Sequence, residues 1–199
     1  MIKTSLEEVN VNVVTQERIL KMDLEANKVY QLHSKDNTYS VDAVIIAIGF
    51  TPNTKFLEGQ FDMLDNGAII IDEFGQTSVE GVFAAGDCAS IHHKFLGDYY
   101  NPLATYANKM GRTIGTNIVS DKKDWESYTN VLGTSAIKSG HSEAVVTGLR
   151  EIDAQNLGLN YKTTMITTPN HTSYYPNREM ISIKLVYDAK TFVLYGAQI

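Results

Sequence analysis

A single cysteine, a single tryptophan and four prolines stand among the 199 residues of this chain, and no apolar run approaches the length of a membrane span. One cysteine excludes an intrachain disulfide and suits a reducing compartment. The first twenty residues, MIKTSLEEVNVNVVTQERIL, lack the continuous apolar segment of an export signal. These absences point to the cytoplasm and away from the membrane, and they leave the Asn-His-Thr triplet at 170–172 as a fortuitous match to a glycosylation sequon. Basic clusters are lacking as well. Seventeen lysines and arginines face twenty-three aspartates and glutamates, for a net charge of −6, and the basic residues are scattered, so nucleic acid is not an expected partner. No metal site is expected: His92, His93, His141 and His171 lack ligand spacing and have no cysteines to support them. A nucleophile elbow, a Walker loop and paired metal-binding carboxylates are missing too.

What is present is ordinary globular composition, 43% hydrophobic and 20% charged, enough for one large domain or two small ones. The opening SLEEVNVNVVTQERILKMD reads as a helix end feeding a strand through Val9, Val11 and Val13. KVYQLH and YSVDAVIIAIGF follow as strands, the second apolar enough to be buried on both faces. Residues 1–49 therefore read as the second half of a domain. Pro52 marks a crossover, after which GAIIIDEFGQTS gives a strand and a turn at Gly75, and GVFAAGD a buried strand ending at glycine. The clearest helix is NPLATYANKMGRTIGTNIV, with Asn101 as N-cap, Pro102 at its first position, and Leu103, Ala107, Met110, Ile114 and Ile118 on its packed face. Gly111 and Gly115 would let a neighbour approach closely. Residues 50–123 form this second region. From about residue 124 five strand-like segments and a short helix closed by Gly158 suggest an α+β domain with an antiparallel sheet, its last two strands joined by the tight link Ala-Lys-Thr.

A buried strand that ends in Gly-Asp places a carboxylate where open α/β sheets bind ligands, although Gly-Asp alone is also an ordinary turn. The spacing around it is more specific. Thr77, four residues, then Val82-Phe83-Ala84-Ala85-Gly86-Asp87 resembles the second flavin-binding motif of the pyridine nucleotide-disulfide oxidoreductase family. VIIAIGFTPNT at 44–54 resembles the same family's strand and crossover between the nicotinamide domain and the returning flavin domain. The later HTSYYPNREMISIKLVYDAKTFVLYGAQI resembles the C-terminal dimerisation domain of the branch that contains coenzyme A-disulfide reductases and NADH oxidases or peroxidases.

The resemblance implies a partial three-layer α/β FAD/NAD(P)-binding domain followed, at 124–199, by a truncated α+β dimerisation domain. It implies FAD and NADH or NADPH as cofactors, a homodimer, and coenzyme A disulfide, oxygen or peroxide as substrate. Gly49, Gly86, Asp87, Pro102, Leu103 and Ala104 become the cofactor-binding candidates. Asp87 would meet the ribityl hydroxyls, and the backbone of Leu103 and Ala104 the pyrimidine ring. Helix-start N–H groups favour the negative charge that a reduced flavin develops there. Tyr174 and Tyr175 are the catalytic candidates, reaching a partner subunit's active site, although adjacent tyrosines before a proline equally suit interface or core packing.

Neither the glycine-rich loop that cradles the flavin pyrophosphate nor the one that binds the nicotinamide nucleotide occurs in these residues, and the family's redox cysteine is missing with them. The chain is thus expected to be the central-to-late part of a longer enzyme, inactive alone. The alternative is a folded or dimerising module without cofactor or turnover. Cys88 has no base beside it and an acidic neighbour, so it reads as a small packing residue.

Overall fold

The computed structural model describes residues 2–199. It divides into two compact units, Met1–Gly49 with Lys138–Ser142, and Phe50–Ile137 with Glu143–Ile199.

In the first unit helix α1 (Ile2–Glu7) precedes an antiparallel meander of β1 (Lys21–Glu25), β2 (Lys28–His33) and β3 (Thr38–Ser40). Ala26 and Asn27 both take left-handed φ values, 48° and 65°, the geometry of a tight hairpin whose twist matches that of its strands. Ser5 ties α1 to the 138–142 segment, donating to the Ser139 carbonyl at 2.8 Å and accepting from the His141 N–H at 3.1 Å.

The alternation Val9, Val11, Val13 does not make a strand. Asn10 lies at φ 63°, the Val11 N–H returns to the Leu6 carbonyl and the Asn10 N–H to Glu7. That is a Schellman closure of α1, so the valines fall on a helix stop rather than on a ladder. Residues 44–50 also differ from expectation. No strand forms there, and Ile45, Ile46, Ile48 and Phe50 are 65–91% exposed. An apolar run becomes a buried strand only when neighbours supply hydrogen bonds along both edges, and no described residue does so.

The second unit is built around two clusters. In one, Ile71, Ala89, Met110 and Ile114 pack with Phe83, Ala84, Ala85, Cys88 and Tyr128. In the other, Ile91, Tyr106 and Val131 pack with Leu103 and Tyr128. The expected strands at 68–71 and 82–87 are reduced to isolated bridges, Met63 with Ile69, Ile69 with Ala89 and Gln76 with Phe83. Residues 83–86 are half-buried, and no parallel sheet of a three-layer domain appears among the described residues. The reason is again the lack of flanking strands.

A hairpin of β4 (Ile91–His93) and β5 (Gly97–Tyr99) leads to α2 (Ala104–Val119). This helix begins two residues later than Pro102. Leu103 is its N-cap, at φ −120° and ψ 130°, and Asn101 caps nothing with its side chain, its carbonyl accepting the Leu103 N–H instead. The packed face consists of Tyr106, Met110, Thr113, Ile114 and Asn117, while Ile118 is 60% exposed. Among the described residues none comes within 4 Å of where a Cβ on Gly111 or Gly115 would stand.

Strands β6 (Ser135–Ser139), β7 (Ser142–Gly148), β8 (Tyr161–Pro169), β9 (Met180–Asp188) and β10 (Leu194–Gln198) form one sheet in the order β6-β7-β10-β9-β8. The pairings β7–β10, β10–β9 and β9–β8 are antiparallel, as the sequence suggests. Gly148 and Gly196 face each other where β7 meets β10, and a side chain on either would run into the opposing backbone. The β9–β10 link is five residues, Ala189–Val193, rather than three. Asp188 organises it, accepting the N–H groups of Lys190 and Thr191 and the hydroxyls of Thr191 and Tyr195. Those bonds, the Thr191 backbone N–H foremost, hold its carboxyl well below the usual carboxylate range. Helix α3 (Glu151–Asn156) follows β7 and closes at Gly158, φ 65°. No described helix is long and apolar enough to cross a membrane.

Candidate functional site

The Thr77–Asp87 segment folds as a clamped turn. Thr77 is buried, its N–H bonds the Val82 carbonyl at 2.8 Å, and its hydroxyl accepts from the Val79 N–H at 3.2 Å. Threonine is suited to this because one side-chain oxygen can close an ST-type turn while its methyl faces the core. The clamp brings Phe83 to Gln76 and delivers the chain to Gly86.

Gly86 lies at φ 84°, a conformation that disfavours other residues, and a Cβ there would come within 3.8 Å of the Ala107 side chain. The turn thus sits against the first turn of α2. Gly86, Asp87, Asn101, Leu103, Tyr106 and Ala107 together line a narrow crevice. The structure therefore brings three of the sequence candidates, Gly86, Asp87 and Leu103, to one place, with Pro102 and Ala104 on either side of Leu103. Gly49, at φ 90°, belongs to the first unit.

Asp87 is exposed, and its carboxylate accepts no hydrogen bond from the described residues. A free carboxylate at this edge can accept from a pair of ligand hydroxyls. At the start of α2 the Leu103 N–H is turned back to Asn101, so the unpaired donors are those of Ala104 and Thr105, one residue further along than expected. They form the electropositive end of a 16-residue helix. The crevice is too narrow to enclose an aromatic cofactor, so turn and helix offer an edge to lie against rather than a closed pocket.

Sequence reasoning missed two residues that fasten these elements, Tyr100 at this edge and Asn117 near the far end of α2. Tyr100 donates its hydroxyl to the Asp87 carbonyl at 3.0 Å, and burial, assisted by the Asp87 charge, raises its pKa. Asn117, fully buried, donates to the carbonyls of Phe74 and Glu126 and accepts the Glu126 N–H at 2.8 Å. A polar residue at helical spacing among Tyr106, Met110, Thr113 and Ile114 was the available signal for Asn117. Tyr100 gave none.

Cys88 packs against the Ile71 cluster, and its thiol points to the Ala85 carbonyl at 3.3 Å. Among the described residues no group of three or more His, Cys, Asp or Glu could hold a metal ion. Tyr174 and Tyr175 are not at the crevice. They occupy the β8–β9 loop, 80% and 60% exposed, with ring centroids 5.1 Å apart and His171 edge-on to Tyr175.

The sequence pattern of the family described as pyridine nucleotide-disulphide oxidoreductase matches residues 1–113. An NADH oxidase of Enterococcus faecalis is 33% identical over 176 residues, covering 88% of this chain and 39% of the oxidase. An NAD(P)H coenzyme A polysulfide/persulfide reductase of Pyrococcus horikoshii is 34% identical over 192 residues, 96% of this chain and 42% of the reductase. The solved structure of an NAD-dependent persulfide reductase from A. fulgidus superposes with a TM-score of 0.90 at 32% identity, over 99% of this chain and 36% of that one. The chain thus spans about two-fifths of the length of the curated relatives it matches.

Proposed function

Because the chain belongs to the pyridine nucleotide-disulphide oxidoreductase family, in the branch of NADH oxidases and coenzyme A persulfide reductases, we propose that it is a portion of a cytoplasmic, FAD-dependent NAD(P)H oxidoreductase. The observation that carries this reading is the unpartnered Asp87 carboxylate on a glycine turn beside the open N-terminus of α2. These residues fit the flavin. Asp87 would accept from its ribityl hydroxyls, and the Ala104 and Thr105 N–H groups would face the electron-rich end of its ring. When bound, the flavin supplies hydride transfer from NAD(P)H to a disulfide, oxygen or peroxide. The chain's contribution is orientation: Thr77 and Tyr100 fix the turn, and Gly86 supplies the left-handed φ that the turn takes beside Ala107.

A homodimer assembled through the last five strands belongs to the same reading. It is supported by exposed apolar residues on the edge strand β8, Met165 at 67% and Ile166 at 54%, and by the exposed Tyr174–Tyr175 pair. In such a dimer the tyrosines would reach the partner's substrate.

The test is to purify the protein, record its visible flavin spectrum with and without added FAD, and follow NADH oxidation with coenzyme A disulfide, oxygen or peroxide as acceptor. Bound flavin that is lost in Asp87→Ala supports the proposal, and indifference of flavin binding to that change removes its basis. A second reading, a cofactor-free folded module, is favoured by the lack of a glycine-rich phosphate loop within the 199 residues. A colourless protein that takes up no FAD and oxidises no NADH would select it.

A further inference from the structure

Next to the flavin-facing edge, with which it shares Asn101, the second unit contains a larger cleft of about 340 Å³, within the range of small-molecule pockets. Leu132 and Leu149 contribute apolar surface to it, and Tyr99, Asn101, Arg150 and Asp153 contribute polar groups.

Arg150 is the unusual residue. It occupies the N-cap of α3, a position that short side chains with an oxygen normally fill. The capping is done by Asp153, which accepts the Arg150 backbone N–H at 2.9 Å. The same carboxylate takes Nε at 2.8 Å and Nη2 at 2.7 Å. A guanidinium held along one edge by a carboxylate keeps its opposite edge free, and that edge matches a second carboxylate bidentately. Nη1 has no partner among the described residues.

The other polar groups are unpaired too. The Tyr99 hydroxyl and the Asn101 side-chain amide make no hydrogen bond among the described residues, and the Asn101 Nδ2 lies over Gly133, where a Cβ would be 3.4 Å away. His93, 3% exposed, adds no charge. Its Nδ1 accepts the N–H groups of Phe95 and Leu96, so the ring proton sits on Nε2, and burial lowers its pKa. Both Asp153 oxygens are already engaged. With the His93 Nε2–H turned to the Leu132 backbone, the cleft offers a ligand three donor groups, Arg150, Asn101 and Tyr99, beside apolar surface.

We infer that this cleft binds a small organic monocarboxylate with a short apolar body, its carboxylate on the free edge of Arg150 and within reach of Asn101 and Tyr99. Nothing in this inference depends on flavin binding.

The test uses the whole chain, labelled with ¹⁵N and titrated with sodium butyrate or with the neutral isostere butyramide while amide shifts are followed. Butyrate should move the amides of Gly133, Leu149 and Arg150, with butyramide about tenfold weaker, the worth of one charge-assisted hydrogen bond. Arg150→Gln should lower butyrate affinity to the butyramide level and leave butyramide unchanged. Asn101→Asp, which keeps Arg150 and α3 intact, should weaken butyrate alone through like-charge repulsion. Equal affinity of the wild type for both probes, no shifts at those amides, or undiminished butyrate binding by either variant would overturn the inference.

Discussion

Two isoleucine-rich runs behave oppositely in this molecule. Ile69 and Ile71 are each 4% exposed, whereas Ile45 and Ile48 are each 91% exposed. The difference lies in what the rest of the chain brings to each run. Ile69 donates to the Cys88 carbonyl and accepts from the Ser90 N–H, Ile71 donates to the Ser90 hydroxyl, and Met110 and Ile114 of α2 cover Ile71. Among the described residues no strand pairs with 44–50, and its isoleucines stay exposed. Hydropathy gives a run its appetite for burial, and a second segment at the right distance decides whether burial occurs.

The sharpest way to test that contrast is to damage the covered run. Ile71→Ala should cost about 3 kcal/mol, from lost transfer energy and the cavity left beneath α2. Urea denaturation should show a lower midpoint at unchanged slope. A loss under about 1 kcal/mol would mean that the Ile71 cluster does not hold the unit together.

Next in size is the polar fastening behind the same helix. Asn117→Ala removes three hydrogen bonds and leaves the Phe74 and Glu126 carbonyls and the Glu126 N–H without their partner, for a loss of about 2–3 kcal/mol. Hydrogen exchange should accelerate first at residues 72–76 and 124–128. Uniform acceleration across both units would contradict a local fastening.

These residues also mark how far the sequence could be read. Thr77, Gly86 and Asp87 stood out in the sequence through their resemblance to a family motif, and the structure sets them along one turn clamped by Thr77. The five C-terminal strands were legible because each carries its own apolar pattern and finds its neighbours within the chain. The start of α2 was not, since Asn101 and Pro102 have the residue types of a cap, yet the chain enters the helix at Leu103, whose side chain carries no oxygen. The Schellman closure at Asn10 hid behind a valine alternation that mimics a strand. Partnership across sequence distance is what a local pattern leaves out, and it accounts for Tyr100, Asn117 and the run at 44–50 alike.

A smaller effect should separate the units by pH. His93 is held neutral by burial, with Nδ1 accepting two backbone N–H groups. Its folded pKa lies below the ordinary value, so the unfolded chain binds the proton more readily. The stabilisation is complete above about pH 6.5 and is lost as the pH falls from there through the folded pKa. The second unit should therefore lose stability on acidification in this window. His93→Gln should flatten that dependence, and an unchanged slope would assign it to other groups.

The smallest effect expected is at the exposed run, and it carries the comparison. Ile48→Ser removes a side chain that is 91% exposed, so little buried area is lost and the unfolding free energy should stay within about 0.5 kcal/mol of the parent. An equal change at Ile71 would be severe. If Ile48→Ser instead costs more than about 2 kcal/mol, the run is covered in solution. Repeating the measurement over a range of protein concentrations then identifies the cover. A penalty that grows with concentration means a second copy lies over residues 44–50, because association stabilises by mass action. A penalty independent of concentration means the chain folds back on itself there, and the opposition between the two runs fails.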